Sequence, residues 1–154
     1  MKNTLAVYDG VRDCLLRHIN DYLNQNCPYD ITVPAIEDRN IQVDFPDLDK
    51  IPQNNMIYII PDYFEITPQT VCTNLVTSAI KIYIFCKRDN HDNLIKRAST
   101  YFNAVCQTIM RYPTMDGAVN YAEMTSADYY PAVTASNTIA AYELNISLRY
   151  IFEN

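Results

Sequence analysis

Glycine is nearly absent: the 154-residue chain has only Gly10 and Gly117. That excludes the glycine-rich loops whose backbone amides cradle a phosphate. Histidine is as scarce, with His18 and His91 alone. Serine occurs five times, at Ser78, Ser99, Ser126, Ser136 and Ser147, never in a nucleophile-elbow context. The five cysteines (Cys14, Cys27, Cys72, Cys86, Cys106) contain no CxxC pair and are odd in number. Small buried thiols of a reducing compartment fit that pattern better than a disulfide framework. Bases are outnumbered, 12 Lys and Arg against 18 Asp and Glu, for a net charge of −6. Tight static binding to nucleic acid needs basic patches that neutralise phosphates, so it is not expected. No apolar run follows Met1–Asn3 or approaches a bilayer span, so a chain made and folded in a cytoplasm is expected.

Hydrophobic residues make up 49% of the chain, enough for one domain with a real core over residues 1–154. Charged residues make up 19%, below the roughly 25% of an average soluble domain. Tyr is abundant instead, at 13 residues. Tyr is enriched and charge depleted at the centres of protein interfaces. The acids cluster. Between Glu37 and Glu65 there are seven, with only Arg39 and Lys50 to balance them.

Leu5, Tyr8, Val11, Leu15, Leu16, Ile19, Tyr22 and Leu23 recur at three- and four-residue steps and predict a helix from about Thr4 to Gln25. Gly10 is a weak point in it, costing about 1 kcal/mol against Ala. Residues 28–53 are expected to be irregular, broken by Pro28, Pro34, Pro46 and Pro52, with extended pieces at Ile31–Val33 and Ile41–Val43. Asp44 to Asp49 (DFPDLD) lacks the glycine and terminal Glu of a calcium loop, so a solvated loop is the better reading. Met56–Ile60 predicts a short buried strand stopped by Pro61, and Phe64–Thr67 a second. Thr70–Lys87 is read as one long strand with a bulge rather than a hairpin turning at Asn74, because no glycine turn is present.

A second helix is expected over about Asn93–Tyr112, N-capped by Asp92 and ended by Pro113. Its apolar stripe is Leu94, Ile95, Ala98, Tyr101, Phe102, Val105, Ile109 and Met110. Tyr112–Gly117 reads as a turn, Ala118–Thr125 as a strand, and Asp128–Pro131 (DYYP) as the start of a connection. The last strand alternates cleanly. Tyr142, Leu144, Ile146, Leu148, Tyr150 and Phe152 take one face; Glu143, Asn145, Ser147, Arg149 and Glu153 take the other. The order predicts an α+β single domain with a mixed or antiparallel sheet packed against two long α-helices.

No catalytic, cofactor or metal residue emerges. Cys14 and His18 lie four apart on one helix, where a nucleophile and its base usually come from different elements. His91, between Asp89 and Asp92, reads as a solvated turn. Surfaces must then carry the function.

The layout resembles the tail terminator and tail-completion proteins of tailed bacteriophages, lambda-like phages among them, and related neck-ring proteins. The matching pieces are Ile80–Ile109, a long strand leading into a helix, and Tyr142–Phe152, a long closing strand, with Asp128–Pro131 at the link before it. The match covers roughly residues 54–154, and the acidic segment Pro28–Gln53 is longer than a minimal version needs. The resemblance implies a virion structural protein, not an enzyme. It implies a homo-oligomeric ring, commonly a hexamer with a dodecameric neck ring as the alternative. Such a ring stops tube growth and joins tail to head. Its partners are portal, adaptor, stopper or tail-tube proteins, and double-stranded DNA passes without sequence-specific binding. A wall past which DNA slides should not be basic, so Asp44, Asp47 and Asp49 are candidate lumen-lining residues. Two other classes stay open: a monomeric or dimeric intracellular adaptor domain, and an enzyme using carboxylate or cysteine chemistry.

Overall fold

The computed structural model describes residues 3–23, 31–88, 93–131 and 138–153. Helix α1 spans Thr4–Leu23. Strand β1 (Ile41–Gln42) follows a single 3-10 turn at Asp38–Asn40. Then come β2 (Asn55–Pro68), β3 (Thr73–Lys87), helix α2 (Leu94–Arg111), a 3-10 turn at Met115–Gly117, β4 (Tyr121–Tyr130) and β5 (Ile139–Glu153). The five strands form one sheet in the order β1-β2-β3-β5-β4. Among the described residues only the β1–β2 pair is parallel. The proposed N-cap Asp92, His91 and Cys27 lie outside the described residues.

The expected packing against two long helices is corrected by the proportions of the elements. The helices have 20 and 18 residues and are not both long. At 1.5 Å per residue they span about 30 and 27 Å. Strands β3 and β5 have 15 residues each. At about 3.3 Å per residue these reach about 50 Å. The sheet is therefore the larger body, and short helices cover one stretch of one face.

That face holds the main core. Val76, Ile80, Ile82, Ile84 and Cys86 of β3 and Leu144, Ile146, Leu148 and Tyr150 of β5 meet Val11, Leu15 and Ile19 of α1 and Ala98, Tyr101 and Val105 of α2. The period-2 pattern of β5 is thus met on its apolar side. In α2 the buried stripe departs in part from the expected one: Ile95 and Met110 are exposed, while Arg97 is buried. Gly10 has a reason beyond propensity. A Cβ there would lie 2.5 Å from the Ala118 Cβ, so glycine lets α1 seat on the turn after α2.

β3 has no turn at Asn74, but it starts at Thr73 rather than Thr70, residues 70–72 lie in the turn that joins it to β2, and its register with β5 is continuous, without the expected bulge. Pro61, however, does not stop β2. The register shifts between Pro61 and Tyr63, a bulge that absorbs the residue without an N–H. β1 pairs only as far as Tyr58, so no described neighbour needs a donor from Pro61 on that side. β2 and β3 close through residues 69–72, where Gln69 and Thr70 donate backbone N–H groups to the Thr73 carbonyl at 3.0 and 3.1 Å. No residue of this turn has positive φ, so it does not need glycine, and Thr70 Oγ1 and Thr73 Oγ1 lie 2.7 Å apart across it. β4 begins and ends later than expected and takes in Asp128–Tyr130, with a bulge at Thr125.

The irregular stretch after α1 is held by helix side chains that satisfy its backbone. Arg12 Nε donates to the Ile41 carbonyl at 3.1 Å, and its Nη2 meets Asp38 Oδ1 at 2.7 Å. Asn20 makes a two-way bond to the backbone of Ile36, both at 2.8 Å. Tyr101 OH donates to the Pro34 carbonyl at 2.6 Å.

Candidate functional site

The sheet register builds a polar cluster on the face opposite the helices. Tyr58 of β2, Tyr83 of β3 and Glu143 of β5 stand in one row across the sheet. Ile60 and Lys81 stand in the next row, and Phe85 and Ala141 in the row on the other side. Partners directly opposite in a ladder share a face, and diagonal neighbours are within reach of long side chains. Glu143 sits at the centre and is only 5% exposed. Its Oε1 accepts a bond from Lys81 Nζ at 3.0 Å and a very short one from the Tyr83 hydroxyl. Tyr130 OH donates to Oε2 at 3.3 Å.

A small second core closes around this cluster: Ile51, Met56, Tyr58, Ile60, Phe85, Ile139 and Ala141, with Tyr83 packed on it. Ile51 comes from the end of the acidic segment and is buried against the sheet, whereas Phe45 and Leu48 stay exposed. Phe45, Pro46 and Leu48 form one wall of a pocket of about 620 Å3, with Lys81, Tyr83 and Tyr130 among the residues opposite. Burial pushes the Glu143 carboxyl up, but the Tyr83 hydroxyl, the Lys81 ammonium and the Tyr130 hydroxyl outweigh it and hold it below the usual range. The Glu143 bond raises Lys81. Burial, then the bond to Glu143, raises Tyr83. All three protonation states are thereby locked near neutral pH. A carboxylate so held is a poor general base and a good structural anchor.

The sequence placed Glu143 on the solvent face of the last strand. The structure buries it beneath Lys81, Tyr83 and Tyr130, on a face where Ile51 of the acidic segment also packs. The candidate lumen residues Asp44, Asp47 and Asp49 lie on this segment and are exposed. Asp44 accepts the Phe45 N–H at 2.7 Å, and Asp47 Oδ1 accepts the Asp49 N–H at 3.1 Å, so both shape the loop. They lie outside the Glu143 cluster.

The arm is the other surface feature. Beyond Ile60 every residue of β2 is exposed. Tyr63 is 65% exposed, Phe64 55% and Ile66 54%, and Val71 in the turn is 98% exposed. Phe64 stands opposite Ser78, and Ser78 is fully buried beneath Tyr8 of α1, hydroxyl to hydroxyl at 3.0 Å. Among the described residues nothing pairs with the outer edge of β2 from Ile59 onward.

No family model matches the chain, and no curated protein sequence does. Among solved structures it is similar to the sheath/tube terminator of an extracellular contractile injection system, PVC, in the extended state, at a TM-score of 0.48 and 13% identity. The alignment covers 100% of this chain and 58% of that one, so the chain spans little more than half the length of that protein. No residue role is carried from one to the other.

A third cluster joins α1 to the turn after α2. His18 Nε2 lies 3.1 and 2.9 Å from the two Asp116 carboxylate oxygens, and Arg17 Nη1 lies 2.8 Å from Oδ2. The His18 ring stacks on Tyr112 with centroids 3.7 Å apart. Cys14, one helical turn before His18, completes a group whose ligating atoms lie within 4.8 Å of one another. Burial first, then the Asp116 charge and hydrogen bond, push the Cys14 thiol up to about 12. It is a protonated thiol at neutral pH, unsuited to nucleophilic attack. The spacing of Cys14 and His18 was legible in the sequence; the third member, 98 residues from His18, was not. Cys14, Cys72, Cys86 and Cys106 form no disulfide with one another. Among the described residues no helix is long and apolar enough to cross a membrane.

Proposed function

We propose that the chain is a structural subunit of a tail-terminator-like ring, which closes the end of a phage-type tail tube and joins it to the head. The observation that carries this reading is the β2–β3 arm. It extends past the helix-covered core with Tyr63, Phe64, Ile66 and Val71 exposed, along a strand edge open among the described residues. Open apolar edges are hazards in a free monomer. A ring supplies the cover: each subunit offers one edge and receives another in a head-to-tail contact that closes by rotation. The sequence resemblance to ring-forming tail terminators points the same way. The partners are further copies of the chain, tail-tube or sheath proteins on one side and portal-side proteins on the other, within the virion. Double-stranded DNA passes through the opening, whose wall is acidic or neutral and includes Asp44, Asp47 and Asp49.

Light scattering on the purified chain tests this. The expected mass is six or more copies, and Phe64→Ser with Ile66→Ser should shift it toward the monomer while leaving the circular-dichroism spectrum unchanged. A monomeric wild type at all concentrations would favour the adaptor-domain reading, for which the apolar pocket beside Glu143 is the supporting feature.

A further inference from the structure

We propose that Cys14, His18 and Asp116 form a three-ligand site for one zinc-type divalent cation, which clasps α1 to the turn after α2. Cys14 and His18 are four apart on α1 and so share one helical face. Gly10, a further four back on that face, allows the close approach to Ala118 that brings the turn against the helix. Asp116 is presented from that turn, whose residues Met115, Asp116 and Gly117 all have positive φ (49°, 54° and 88°). One thiol, one imidazole and one carboxylate are the donor types of tetrahedral zinc sites.

The geometry is near that of a filled site. Zinc bonds of about 2.0–2.3 Å place tetrahedral ligand atoms about 3.3–3.8 Å apart. The three ligating atoms here already lie within 4.8 Å of one another, and His18 Nε2 is 2.9 Å from Asp116 Oδ2. Cys14 closes the inner side at 1% exposure. The His18 and Asp116 side chains are 15% and 26% exposed, leaving the fourth position open to water. Arg17 pairs with Asp116 from the rim, but its side chain is 63% exposed, and such surface pairs contribute little. On binding, the Cys14 thiol proton leaves to solvent and the sulfur coordinates as thiolate. The imidazole keeps one proton, on Nδ1, and coordinates through Nε2. The ion then replaces the His18–Asp116 hydrogen bond as the link between α1 and the turn.

The test is a titration of the full, reduced, chelator-stripped chain with Co2+ and then Zn2+. One equivalent of Co2+ should give a thiolate-to-cobalt charge-transfer band, Zn2+ should displace it, and the thermal midpoint should rise with Zn2+. Cys14→Ser should abolish the band, while Cys72→Ser should leave it intact. His18→Gln, which keeps a polar group facing Asp116, should weaken binding more than about 100-fold, beyond the cost of losing an outer-shell partner. No charge-transfer band at saturating Co2+ in the folded wild type would overturn the site. So would a band that survives Cys14→Ser, or unchanged affinity in His18→Gln, which serves if Cys14→Ser fails to fold.

Discussion

Glu143→Gln isolates what holds the back of the sheet together. The carboxylate accepts from Lys81, Tyr83 and Tyr130 at 5% exposure. The amide keeps one carbonyl acceptor for Tyr83 but loses the charge that Lys81 pairs with. A hydrogen bond to a charged group contributes about 1.5–3 kcal/mol. Lys81 is one-third exposed and regains water when unpaired, so the Lys81 share is discounted for solvent screening. The expected loss is about 2 kcal/mol. For a chain of this size, 1 kcal/mol moves the midpoint by roughly 2–4 °C, so Tm should fall by roughly 4–8 °C. The pH dependence supplies the second check. The folded pKa of Glu143 is depressed, so its contribution is present above the unfolded value of about 4.3 and lost as pH falls through the folded value. The gap between wild type and variant should be full at pH 7 and shrink below about pH 4. Thermal melts of both proteins across that range measure it. A variant within about 0.5 kcal/mol of wild type at pH 7, with a parallel pH profile, would show that the cluster is no anchor.

Gly10→Ala should destabilise by about 1–3 kcal/mol through overpacking, although alanine is the better helix former, because the new methyl meets Ala118 Cβ at 2.5 Å. Adding Ala118→Gly should recover most of that loss, and a melt of the double variant no better than the single one would refute the contact. Ile146→Asp should cost several kcal/mol by burying an unpaired charge in the main core, where Ile146 is 1% exposed. Chemical denaturation that leaves its midpoint at the wild-type value would contradict the packing of β5 beneath the helices.

The parts of this fold that were legible in the sequence are those where one period and one buried face coincide. Leu144, Ile146, Leu148 and Tyr150 alternate and are buried, as a one-sided strand requires. The same alternation points Glu143 outward, since it assumes that the second face is solvated. What buries it is a tertiary event: Lys81 and Tyr83 of β3 and Tyr130 of β4 close on its carboxylate, and a proline-broken segment brings Ile51 against the same face. No local period encodes that. Pro61 reads as a strand stop, because a missing N–H breaks a ladder, yet here the bulge and the open edge leave nothing to break. Of the expected α2 stripe Leu94, Ala98, Tyr101, Val105 and Ile109 are buried, while Ile95 and Met110 face outward because the apolar residues exceed one face and only the neighbouring strands decide which are covered. The Cys14–His18–Asp116 group depends on a contact across 98 residues that spacing cannot reveal.

An electron cryo-microscopy map of the purified chain tests the proposed assembly. A closed ring of identical subunits is expected, with the β2–β3 arms lying between neighbours. Its central opening should be wide enough for duplex DNA, roughly 20 Å plus hydration on the scale set by the grooves of the double helix. Asp44, Asp47 and Asp49 should face that opening. Single, unassembled particles would rule out the ring, and an opening lined by Lys81, Lys87, Arg88 and Lys96 would rule out the acidic wall.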